Sequence, residues 1–93
     1  MDSQLKQDLI AARALIETPE KWMKGPWPED GRMCVLRAVE KVCGLAYGEG
    51  PYSPVGKALQ DQLGVDAIGP YNDLPTTTHA DVLSLFDRAI AAA

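Results

Sequence analysis

Apolar residues recur along this chain at intervals of three and four, and short segments rich in proline and glycine break the runs. Such intervals bring side chains onto one face of an α-helix. Leu5, Leu9, Ala12 and Ile16 form the first stripe and predict a helix over 4–17, with Asp2 or Ser3 as its N-cap. Lys6, Gln7 and Ala14 fall on the opposite side, and Ile10 lies off the stripe. Thr18-Pro19-Glu20 joins a capping threonine to a first-turn proline, which predicts a short turn near 19–23 that folds Trp22 and Met23 back onto the first helix. The segment KGPWPEDGR (24–32) then stops any regular element. Trp27 within it is expected to anchor the loop to the core, because an exposed indole forgoes its burial energy.

Val35, Val39, Val42 and Ala46 form the next stripe, with Ala38 and Cys43 at its edges and Arg37, Glu40 and Lys41 opposite. They predict a central helix over 33–46 that ends at Gly48 or Gly50. A strand is disfavoured because the apolar residues do not alternate. Valine lowers intrinsic helix propensity, so this helix must rely on packing. Ser53-Pro54 repeats the cap-then-proline signal and opens a helix over 54–63, built on Val55, Leu59 and Leu63 and closed by Gly64. Val65 and Ile68 extend apolar contact without a helical frame, and Gly69-Pro70 breaks the chain again. Thr78 with Asp81 approximates a capping box for a last helix over 78–91, whose stripe is Val82, Leu85, Phe86, Ala89 and Ile90. The expected fold class is all-α: a compact bundle of about four helices with Pro/Gly-rich loops, filling 1–93 as a single helical domain.

Composition narrows the function. At 93 residues there is room for one core, and an apolar share of 46% builds it without a metal or disulfide staple. The formal charge of −4 repels phosphate backbones, so no nucleic-acid partner is expected. No apolar stretch approaches the length of a membrane span and residues 1–9 are polar, so the expectation is no membrane association, no leader and a cytoplasmic location. Cys34 and Cys43 lie nine residues apart on the predicted central helix. That spacing puts them on opposite faces, roughly 13–14 Å apart along the axis, too far for a disulfide or a shared metal. No metal and no cofactor is expected.

The parts of a thiol hydrolase are present: Cys34 near a helix start, His79 near another, and Asn72 or Asp73 to orient an imidazole. Presence alone is a weak signal, since geometry defines such a site. Each residue also has a plainer reading. The cysteines are small buried thiols, His79 packs and bonds to the 71–77 loop, and Asn72 and Asp73 are turn formers that bond their own backbone.

Leu15-Ile16, Pro19-Glu20 and Trp22, an interior cysteine, the Asn72-Asp73 pair, and the run from Thr78-His79-Ala80-Asp81-Val82-Leu83 to Phe86-Asp87-Arg88-Ala89-Ile90 together resemble a family of small bacterial and phage proteins known only as a domain of unknown function. The resemblance implies no activity and points to a phage or mobile-element origin. The leading expectation is a non-enzymatic binding protein that docks on a protein partner, for instance as an inhibitor of a host or defence protein, or that forms a homo-oligomer. Its candidate contacts are the loop aromatics Trp27, Tyr47, Tyr52 and Tyr71. A second reading is a small-molecule or nucleotide cleft lined by Trp27, Tyr52, Tyr71, Asn72, Asp73 and His79. A third is a Cys34-dependent hydrolase.

Overall fold

The computed structural model describes residues 3–25, 28–64 and 68–93. Asp2, Trp27 and Val65 lie outside them, and with them the first-helix cap assigned to Asp2, the loop anchor and one apolar contact. The described residues form five helices: α1 (Ser3–Leu15), α2 (Val35–Cys43), α3 (Pro54–Leu63), α4 (Ile68–Asp73) and α5 (His79–Ala92). Single 3₁₀ turns lie at Pro19–Lys21 and Gly50–Tyr52. No strand forms among the described residues; only isolated bridges pair Trp22 with Met33 and Glu29 with Arg32. The all-α expectation is met.

The end signals act as their chemistry requires. Ser53 Oγ accepts the Gly56 N–H at 3.0 Å and caps α3. Thr78 and Asp81 form a reciprocal capping box, with the Asp81 N–H on Thr78 Oγ1 and the Thr78 N–H on Asp81 Oδ2. Gly64 closes α3 in the left-handed conformation (φ 75°). Gly44 does the same for α2 (φ 68°), so the central helix stops there and not at Gly48 or Gly50. A glycine in the left-handed region ends a helix at once, whatever apolar residues follow.

Two further differences from the sequence reading bear on the site. First, Ile68–Asp73 is helical despite Gly69-Pro70. Pro70 falls in the first turn, where a missing N–H costs nothing. Second, Glu40 is buried, although it falls opposite the valine stripe of α2.

The interior is one cluster that draws Leu9, Ala12 and Ile16 from the first stripe, Val35, Ala38 and Val39 from α2, Val55 and Leu59 from α3, Ile68 from α4, and Val82, Leu85, Phe86 and Ala89 from α5. Phe86 is its largest fully buried side chain. An exposed Arg13–Asp87 ion pair (2.8 Å) bridges α1 and α5 at the surface, where such pairs contribute little.

At one point helix packing is closer than any side chain allows. A Cβ placed on Gly56, in the first turn of α3, would sit 2.1 Å from the Gly50 carbonyl oxygen. Gly56→Ala should therefore destabilise by about 3 kcal/mol despite alanine's better helix propensity. Gly64→Ala, strained in φ but open in space, should cost about 1 kcal/mol. Urea unfolding followed by circular dichroism checks both; similar midpoints for the two variants would contradict the close approach.

Candidate functional site

Two buried polar side chains organise everything outside the apolar core. The first is Asn72, in the last turn of α4 and fully buried. Its Oδ1 accepts the Trp22 indole N–H at 2.7 Å and the Val35 backbone N–H at 3.2 Å. Its Nδ2 donates to the Met23 carbonyl at 3.2 Å and to Asp73 Oδ1 at 2.9 Å. A carboxamide has two acceptor sites and two donors, and all are used. Cys34, at the N-cap of α2, makes no side-chain cap bond. Asn72 supplies that cap from a distant part of the chain. Asp73 extends the seam, with Oδ1 also accepting the Gly25 N–H at 2.8 Å. The pair does not bond its own backbone as turn formers do; helical φ/ψ directs both side chains outward to other segments.

His79 belongs to the same corner. Its Nε2 lies 2.7 Å from the Ile16 carbonyl, so that nitrogen carries the proton. Its ring stands 5.9 Å from that of Trp22, tilted by 44°. The partner is thus the end of the first helical segment and not the 71–77 loop, which closes on itself through Thr77 Oγ1 and the Tyr71 carbonyl (2.7 Å). Tyr71 is half-buried against the core. Burial, and then the Asp81 carboxylate, push its phenol above the usual range.

Two of the three side chains of the hydrolase reading, Asn72 and His79, are engaged with other groups, and no hydrogen bond among the described residues joins Cys34 to His79. Cys34 is buried and unpaired to another cysteine. It lines a cavity of about 110 Å³ with Arg37, Tyr47 and Asp73. The Asn72 carboxamide is taken by four other groups, and the His79 Nε2 by a carbonyl. Among the described residues no group of three or more histidine, cysteine or acidic side chains is placed to hold a metal ion.

The second buried polar group is Glu40 of α2. Its Oε2 accepts the Gly48 and Gly50 N–H groups, each at 2.9 Å, and the Arg37 terminal N–H at 2.9 Å. Its Oε1 lies 2.6 Å from Arg37 Nε. Gly50 is pressed so close that a Cβ there would meet Oε2 at 3.0 Å. Burial pulls the Arg37 guanidinium down, but Glu40 and Tyr47 more than offset it, and the net shift is upward. Arg37 therefore stays charged beneath its loop.

That loop carries the aromatics. The Arg37 guanidinium carbon lies 3.9 Å from the centre of the Tyr47 ring. Tyr47 remains 56% exposed, and Tyr52, on the Gly50–Tyr52 turn, is 77% exposed. Tyr52 borders an open depression of about 540 Å³ with Pro51, Lys57, Gln60 and Asp61. So the structure sets Tyr52 beside α3, while Tyr71, Asn72, Asp73 and His79 gather at the α4–α5 corner. Glu40, Gly50 and Gly56 escaped the sequence reading. The one available signal was the Gly48-Glu49-Gly50 run after a helix, whose free N–H groups need an acceptor.

Comparison with known sequences places the chain. The sequence profile of DUF6197, described as a family of unknown function, matches residues 1–92. The chain belongs to this family. No curated protein and no solved structure matches it. In this DUF6197 protein no helix among the described residues is long and apolar enough to cross a membrane.

The two polar hubs make separable predictions. Asn72→Ala strands the Trp22 indole N–H and the Val35 N–H and should cost about 3 kcal/mol of stability; a urea midpoint within error of the parent would refute the pin. Glu40→Gln removes the charge that three donors share. Amide exchange at Gly48 and Gly50 should then speed up about tenfold or more, while α5 amides keep their protection in the still-folded state. Unchanged exchange at both glycines would mean the loop is held by something else.

Proposed function

We propose that this DUF6197 protein is a non-catalytic binding module that docks a protein partner through the 47–52 loop. The observation that carries the reading is the pairing of exposure with order. Two tyrosines stay largely exposed on a loop whose backbone is held by a buried carboxylate. Exposed aromatics of a solvated loop ordinarily gain by folding down. A loop clamped in place presents them at little further entropic cost, which is what preorganised interfaces do. Tyrosine is enriched at interface cores because it brings large area on few rotatable bonds.

Occupying a partner's surface is the mode of action we assign. Inhibition of a host or defence protein by a mobile-element protein is one form of it. A homo-oligomer built on the same loop is the other form. Both place the burden on Tyr52 and Tyr47.

Immobilised parent protein, Tyr52→Ala and Tyr47→Ala/Tyr52→Ala should be compared for retention from a bacterial lysate, alongside light scattering of each purified protein. Retention of a defined partner, or a mass above the monomer, is expected for the parent and should weaken about thirtyfold or more in the double variant, with its circular-dichroism spectrum still that of the folded parent. A parent that is monomeric and retains nothing, or a double variant that behaves as the parent does, would refute the reading.

A further inference from the structure

The same clamped loop borders a second surface feature. Leu5, Val42, Cys43, Leu45 and Pro54 line a depression of about 450 Å³ between α1, α2 and the start of α3. A smaller one of about 160 Å³ lies between α3 and α5, floored by Ala58, Ala89 and Ala92. Leu5 lines both, so the two depressions lie on either side of its side chain and make a trough from Leu45 to the end of α5 with Leu5 as the shared wall.

Its charge is one-sided. Among the described residues the charged side chains that line it are Asp8 and Asp61, and no lysine or arginine does. Neither carboxylate has an ion-pair partner among the described residues; Asp8 accepts only the Gln4 amide at 2.8 Å. Lys57 lies one turn before Asp61, and the two line the neighbouring depression beside Tyr52 without an ion pair between them. Burial, and then Asp8, push the Cys43 thiol up, so the floor carries no charge of its own at pH 7. A second copy of this acidic chain is a poor occupant, since a self-complementary contact would set the carboxylates of both copies together.

The walls also select the form of the occupant. They are mostly helical, with no strand among the described residues whose edge could pair with a segment. An extended segment would find no β-ladder to join there, whereas a helix brings its own hydrogen bonds. We propose that the trough binds an amphipathic helix of a protein partner, with its apolar face on Leu5, Val42 and Ala89 and its lysines or arginines against Asp8 and Asp61. The inference rests on the docking reading only in taking a protein as the ligand, because Tyr52 lies outside the trough.

The test is a titration of the ¹⁵N-labelled protein with an amphipathic leucine/lysine peptide of about four helical turns, beside its leucine/glutamate counterpart. Amide shifts concentrated at 42–45, 54–58 and 89–92 are expected with the cationic peptide and none with the acidic one. Affinity should fall about tenfold in Asp8→Asn/Asp61→Asn and hold in Tyr52→Ala. Absent shifts, shifts scattered over the surface, or equal affinity in the carboxylate variant would overturn the trough site. Loss of trough binding beside intact Tyr52-dependent capture sinks this inference alone, and the reverse pattern sinks only the loop reading.

Discussion

The carboxamide of Asn72 is the contact on which the arrangement of the N-terminal half depends. Trp22, Met23 and the first N–H of α2 all end on it, and through Asp73 so does Gly25. Trp22, Met23 and Gly25 lie outside the helices and have no helix of their own to hold them near α4. The bonds form in a dry interior, where a polar group without a partner is expensive, so the set is satisfied as a whole or not at all. That makes Asn72 a determinant of unique packing more than a source of large net energy. His79 backs the same corner from the other side, fixing the end of the first helical segment to the start of α5 and flanking the Trp22 ring.

Glu40 has the equivalent role for the other half. Its carboxylate draws the Gly48–Gly50 backbone onto α2, and Gly50 in turn sits against Gly56 of α3. Gly50 and Gly56 are needed because the chain passes within a side chain's radius of its neighbours twice in succession, and Gly48 is needed for its positive φ of 91°. The outcome is a loop that is ordered by backbone contacts while its tyrosines remain outside. The buried ion pair with Arg37 is weak evidence for stability in itself, since desolvation opposes it. Its effect here is to fix a geometry, and the docking function proposed for the loop follows from that.

Two of the side chains that suggested chemistry in the sequence have structural partners. Asn72 and His79 are joined to backbone groups of distant segments, and Cys34 faces a small cavity next to Arg37. Tyr47 and Tyr52 remain largely exposed on the loop, Tyr47 over the Arg37 guanidinium, and Asp8 and Asp61 edge the trough. The two features are neighbours, because Leu45 and Ser53, just before and just after the loop, line the trough.

The amino-acid sequence by itself determined the four long helices, most of their buried stripes, the caps at Ser53, Thr78 and Gly64, and the class of the fold. These depend on neighbours within one or two turns, and periodicity and capping chemistry record such neighbours directly. Only the tertiary structure decided that Gly44 ends α2, that Ile68–Asp73 is a helix, that Glu40 is buried, and that Asn72 caps a helix far away in the chain. Each of these turns on a partner many residues distant. A glutamate on the polar side of a helix looks solvated until a loop folds over it, and an asparagine beside an aspartate looks like a turn until the groups it must satisfy arrive from elsewhere. Long-range hydrogen bonds leave no period in the chain, and so the polar hubs that shape the candidate surfaces became visible only once the helices had packed.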